Sequence, residues 1–120
     1  MAADAPHLVQ GRAAEDAALM HLKRQGLKLI ARNYRTQHGE IDLIMRDART
    51  LVFVEVRFRR DQRFGSPAET VGVQKQRKLR ASAEHYLQAD GDCNRPCRFD
   101  IVSVSGDPAT PTIDWLTNAF

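Results

Sequence analysis

Asp42 and Glu55 are carboxylates set in stretches otherwise composed for burial, Gly39-Glu40-Ile41-Asp42-Leu43-Ile44 and Val52-Phe53-Val54-Glu55-Val56-Arg57. Apolar, β-branched runs pack well in sheets, whereas an ionised carboxylate among them carries a desolvation cost on the order of several kcal/mol unless a cation compensates it. A divalent metal ion is the natural candidate. A third acid, Glu15, shares helical spacing with Gly11, Ala18, Leu19 and Leu22, so it points where an apolar face points. The competing reading is an acid at the edge of an amphipathic face, without function. Lys75 stands in the same relation to Leu79, Ser82, Ala83 and Tyr86: it either reaches the acids or snorkels at the edge of its stripe.

The elements that must position these groups follow from periodicity and punctuation. A helix is expected from Leu8 to Gln25, stopped by Gly26. A strand follows over Leu27–Tyr34, with Leu27, Leu29 and Ala31 alternating against Lys28, Ile30 and Arg32. Gly39–Asp47 and Thr50–Arg59 read as a hairpin joined at Ala48-Arg49. With a two-residue loop, Asp47 pairs with Thr50, Ile44 with Phe53, Asp42 with Glu55 and Glu40 with Arg57. The two carboxylates would then stand opposite each other, with Cβ atoms about 4.5 to 5.5 Å apart. Ala-Arg is not a favoured two-residue turn, so a longer loop or a bulge would shift that register.

Arg59 to Gly65 reads as a basic surface loop, and Ser66-Pro67-Ala68-Glu69 as a helix start with a capping box. A longer helix is expected over Gln74–Gln88, then strands over Phe99–Val104 and Thr112–Leu116. The order αβββαββ predicts an α/β fold in which a mixed sheet is flanked by helices.

Bulk properties narrow the setting. The 120 residues make one domain, 1–120, with one core. No apolar stretch approaches the length of a membrane span, and the start of the chain lacks a basic region followed by an apolar one, so a cytoplasmic location is expected. Eighteen Lys and Arg against fifteen Asp and Glu give only a mild positive charge, and distribution says more than balance. Arg57, Arg59, Arg60 and Arg63 crowd one segment, and Lys75, Arg77, Lys78 and Arg80 the next, either as solvated surfaces or as a positive field flanking the acids. Cys93 and Cys97 have a spacing found in some zinc sites but lack a second ligand pair nearby, so reduced thiols are expected.

Taken together, Gly11-x-x-x-Glu15, Arg32-Asn33-Tyr34-Arg35, Gly39-Glu40-Ile41-Asp42-Leu43-Ile44, Phe53-Val54-Glu55-Val56-Arg57, Lys75, Arg98-Phe99-Asp100 and Ala119-Phe120 resemble the YraN-like bacterial family nearly end to end. That family looks like a branch of the PD-(D/E)XK nuclease superfamily, similar to archaeal Holliday-junction resolvases. The resemblance implies a restriction-endonuclease-like αβββαββ fold with a central mixed five-stranded sheet. It also implies Asp42, Glu55 and the Val56 carbonyl as ligands of Mg²⁺ or Mn²⁺, and Glu15 as the helix-borne acid completing the site. Arg57 falls where the superfamily usually has lysine. Arginine stays protonated and cannot act as a base, but its fork can clamp a phosphate oxygen. Charge stabilisation therefore falls to Arg57, with Lys75 as a possible substitute.

Two functions compete. The first is a metal-dependent DNA endonuclease acting on branched or otherwise structured DNA, with Arg59, Arg60, Arg63 and Lys78 on phosphates and a homodimer if two strands are cut. The second is a catalytically inactive module of nuclease fold that binds nucleic acid or docks onto a protein. Arg57 favours the second, and the intact set of acids favours the first.

Overall fold

A computed structural model of the chain describes residues 6–59, 71–90, 94–107 and 109–120, with side chains from Gly11 onward. Helix α1 spans Pro6–Arg24. It ends in a Schellman arrangement: Gly26 adopts φ 98°, its N–H donates to Lys23 O at 3.0 Å, and Leu27 N–H donates to Leu22 O at 3.1 Å. Strands β1 (Lys28–Thr36), β2 (Gly39–Asp47) and β3 (Thr50–Arg59) follow, then α2 (Val73–Asp90), β4 (Cys97–Ser105) and β5 (Thr112–Leu116). The expected order holds, and the predicted bounds of β2, β3 and β5 are those observed. The predicted Arg59–Gly65 loop and the helix start at Ser66 lie outside the described residues beyond Arg59, as does Cys93. Cys97 is an exposed free thiol.

The five strands form one sheet in chain order. Neighbours are antiparallel except β3 and β4, which are parallel from Leu51–Cys97 to Arg59–Ser105. A parallel pair needs a crossover, and α2 lies in it. The sheet is thereby covered on both sides. Ala14, Ala18, Leu19 and Leu22 of α1 pack on Leu43, Met45, Val52, Val54, Val102 and Val104. Leu79 and Ala83 of α2 pack on Ile44, Phe53, Phe99 and Ile101. Burial on both faces explains why β3 is apolar at successive positions rather than at alternate ones. Among the described residues no helix is long and apolar enough to cross a membrane.

Two departures from regular alternation shape the sheet where the acids lie. Leu29 packs on the α1 side and Ala31 on the α2 side, because a register shift between them leaves Ile30 exposed. The simple alternation expected for β1 therefore breaks at Ile30. Further on, Ile41 packs with the α2-side residues although Leu43, two residues away, packs on the α1 side. Between them is Asp42.

The far end of the sheet is pinned by Asp100, which is 1% exposed. Both of its oxygens accept from Arg98 Nε (3.1 and 3.2 Å), Oδ2 accepts from Trp115 Nε1 (2.9 Å) and Oδ1 from Asn118 N–H (2.9 Å). Next to it Ala119 N–H donates to Phe99 O at 2.7 Å, and Phe120 stacks on Phe99 with Arg80 over both rings. Removing the carboxylate strands several donors, among them a cation. Asp100→Ala is therefore expected to lose about 3 kcal/mol in urea denaturation with an unchanged m value, and a loss under about 1 kcal/mol would contradict the pinning role.

Candidate active site

The β2–β3 hairpin closes through Ala48-Arg49, with Ala48 in the left-handed region at φ 54°. Its register runs as counted from the sequence from Asp47–Thr50 through Ile44–Phe53 to Leu43–Val54, and there it ends, so the expected Asp42–Glu55 and Glu40–Arg57 pairs are not part of the ladder. Were it to continue, alternation makes Ile41–Val56 the next hydrogen-bonded pair. Instead Val56 N–H donates to Asp42 Oδ2 at 2.8 Å. A carboxylate has taken the place of a backbone acceptor, and β2 leaves β3. Because the N–H and C=O of a paired strand residue point the same way, the Val56 carbonyl also faces the opening beside Asp42.

Glu55, 5% exposed, stands on the other side of that opening. Its Oε1 lies 3.5 Å from Lys75 Nζ and 3.6 Å from Arg57 Nε. Burial pushes the Glu55 carboxyl above its ordinary range, against the pull of Lys75 and Arg57. Burial also acts on Asp42, followed by the charge of Glu55, and with lesser contributions from Glu15 and Glu40 these raise its carboxyl to about 7 despite the Val56 hydrogen bond. The two groups are close enough to share a hydrogen bond. Such a pair takes up a proton more readily than ordinary carboxylates do, and a cation at the same place would displace it.

Glu15 reaches the flank of this pair from α1. Arg32 Nη2 is 3.4 Å from Glu15 Oε1 and closer, 2.9 Å, to Asp16 Oδ1. Two carboxylate oxygens can be met only by a donor, so the Asn33 amide presents its nitrogen, 3.2 Å from Glu15 Oε1 and 2.7 Å from Glu40 Oε1. Neither Asn33 nor Glu40 stood out as a site residue in the sequence. The available signal was an asparagine inside a strand, a residue type depleted there.

Of the residues expected on phosphates, Lys78 is exposed on α2 and its Cβ lies 3.8 Å from where a Cβ on Gly39 would sit, while Arg59 closes β3. Arg60 and Arg63 lie outside the described residues. Among the described residues no group of three or more His, Cys, Asp or Glu side chains is placed to hold a metal ion together, so Glu15 does not join Asp42 and Glu55 as a third ligand within one cluster. The donor set at the opening is thus two carboxylates and a carbonyl. It suits Mg²⁺, which keeps several waters and takes one or two carboxylates together with substrate phosphate.

Residues 14–104 match the model of the Uncharacterised protein family UPF0102. The chain belongs to this family. It is 46% identical over 117 residues to a UPF0102 protein of Nitrosococcus oceani, covering 97% of this chain and 94% of that one. It is also 46% identical over 119 residues to one of Pseudomonas entomophila, covering 98% and 97%, and 44% identical over 116 residues to one of Shewanella loihica, covering 97% of each. The UPF0102 match spans Glu15, Asn33, Glu40, Asp42, Glu55, Arg57 and Lys75.

For this UPF0102 chain the raised Asp42 carboxyl fixes a sign. The ordinary value is 3.8 and the folded value about 7, so between those pH values the folded state binds more protons than the unfolded one. Folding is then weakened as pH rises through that window, by a few kcal/mol once Asp42 is ionised. The metal-free protein should melt higher at pH 5.5 than at pH 8, and Asp42→Asn should raise the pH 8 melting temperature and remove most of the difference. A wild-type profile that coincides with that of Asp42→Asn across this range would contradict the assignment.

Proposed function

We propose that this UPF0102 protein is a metal-dependent endonuclease that hydrolyses DNA phosphodiesters in the cytoplasm, acting on branched or otherwise structured DNA as a homodimer. The observation that carries the reading is the opening at the end of the β2–β3 ladder. There two carboxylates, both held above their usual range, face each other beside a backbone carbonyl. Mg²⁺ or Mn²⁺ bound there would supply an activated water and neutralise charge on the phosphate.

The chain's own residues divide the remaining work. Asp42 and Glu55 would hold the cation with the Val56 carbonyl, and Glu15 would complete the site from α1. Arg57, permanently charged, would clamp a non-bridging phosphate oxygen and stabilise the charge that develops on it. Lys75 reaches Glu55 from α2 and stands ready for the part that lysine plays in the superfamily. Arg59, Lys78 and the basic residues Arg60 and Arg63 would track the backbone without reading sequence.

One observation favours the second reading, an inactive module that binds nucleic acid or a protein. Lys75 and Arg57 already lie against Glu55, which offsets part of its charge without a metal. The two readings separate when the purified protein is incubated with supercoiled, linear, single-stranded and four-way-junction DNA in Mg²⁺ or Mn²⁺. Cleavage is expected, reduced at least 100-fold in Asp42→Ala and in Glu55→Ala and retained in Arg57→Lys. Binding without cleavage, with a steep dependence on salt, would establish the module instead, and neither binding nor cleavage would overturn both.

A further inference from the structure

Asn33 is a non-glycine residue with φ 52°, in the left-handed region, in the middle of a strand. The β1–β2 register runs through Arg32–Leu43 and Tyr34–Ile41, which places Asn33 opposite Asp42. The alternation of faces is broken on both strands at one level of the sheet. On β2 the residues flanking Asp42 pack on opposite faces, and on β1 Ala31 and Tyr34 pack on the same face although three positions apart. A left-handed residue within a strand has a cost of order 1 kcal/mol or more and persists where its surroundings impose it. Asparagine tolerates that region better than most residues.

The side chain shows what the conformation achieves. The Asn33 amide nitrogen lies between Glu15 Oε1 of α1 and Glu40 Oε1 of β2. It joins two like charges, both of which act on Asp42, through one neutral donor. Arg32 also touches Glu15, at 3.4 Å, but its stronger contact is with Asp16. A neutral amide between two acids orients them without neutralising either. That leaves more of their charge to a cation than a close ion pair would, and the guanidinium that does approach Glu15 lies nearer to Asp16.

We propose that Asn33 is a positioning residue of the metal site, holding the Glu15 carboxylate against the Asp42 flank so that helix α1 contributes to cation binding. This rests on the metal-site reading above. It goes beyond it in giving a role to a residue whose amide reaches Glu15 and Glu40 rather than the two metal-binding carboxylates themselves. Loss of hydrogen-bond partners that orient metal ligands typically weakens metal binding 10- to 100-fold, and that is the size of effect expected.

The test is a double-mutant cycle read by Mn²⁺ titration, using the full chain as wild type, Asn33→Gly, Glu15→Gln and the double variant, with melting temperatures recorded without metal. Glycine is comfortable at φ 52°, so Asn33→Gly removes the amide while keeping the backbone path. Asn33→Gly is expected to weaken Mn²⁺ binding about 10- to 100-fold. In the Glu15→Gln background the same change should weaken it by no more than about threefold, because the residue acts through Glu15. Undiminished affinity in Asn33→Gly overturns the proposal alone, as does a full effect in the Glu15→Gln background. A glycine variant that no longer folds makes Asn33 a residue of the fold and overturns it too. Wild type that binds no Mn²⁺ at millimolar concentration overturns the metal site itself, and this inference with it.

Discussion

The hydrogen bond from Val56 N–H to Asp42 Oδ2 is the contact on which the rest of the site depends. An antiparallel ladder satisfies its backbone groups in pairs, and a sheet that ended here with those groups bare would carry a penalty for each. The aspartate lets β2 peel away from β3 with Val56 N–H still satisfied. What it creates is an opening inside a sheet, bordered by backbone polar groups and reached by side chains from both faces. An uninterrupted ladder would have filled that space with the Ile41–Val56 pair.

Topology decides who reaches the opening. The parallel β3–β4 pair requires a crossover, and α2 in that crossover sends Lys75 to Glu55. Helix α1 covers the opposite face and brings Glu15. The central strand β3 is buried on both sides, so Glu55 stays dry whichever helix is considered. A carboxylate on an edge strand or a one-sided sheet would titrate as an ordinary acid. The elevated Asp42 and Glu55 carboxyls are therefore consequences of the two-layer covering as much as of each other.

Much of this was legible in the sequence, for identifiable reasons. The bounds of β2 and β3 follow from β-branched runs on either side of Ala48-Arg49, and the register followed from that loop length alone. The inward stripe of α2 was equally plain, since Leu79, Ser82 and Ala83 recur at helical spacing and all are buried. The break in alternation was not legible. Periodicity assumes extended backbone throughout, and a single left-handed residue at Asn33 or a register shift at Ile30 reverses the face of everything beyond it without altering composition. Glu40 was hidden for the same reason: counted along a regular strand it falls opposite Arg57, whereas the twisted strand carries it to Asn33 and Glu15.

Glu55 shows why the cations at the site are arranged as they are. Two ionised carboxylates at an opening of low polarity repel each other, and a proton on Asp42 or a bound cation relieves the repulsion. Lys75 and Arg57 lie against Glu55 and pull its carboxyl down against burial, whereas the leading charges that act on Asp42 are those of Glu55, Glu15 and Glu40, so the pair is treated unequally. A module with no need for a metal gains nothing from that asymmetry, since neutralising both acids or replacing both with apolar residues of similar size would be at least as stable. For a cation site it is useful, because Lys75 and Arg57 favour the charged form of one ligand while the other, raised to about 7, gives up its proton more readily once a cation arrives. The side chain of Arg57, half-buried beside Glu55, is a guanidinium and so remains a fixed positive charge beside the acid pair. Lysine there would be free to titrate, so arginine confines the position to holding charge and leaves it no part in proton transfer.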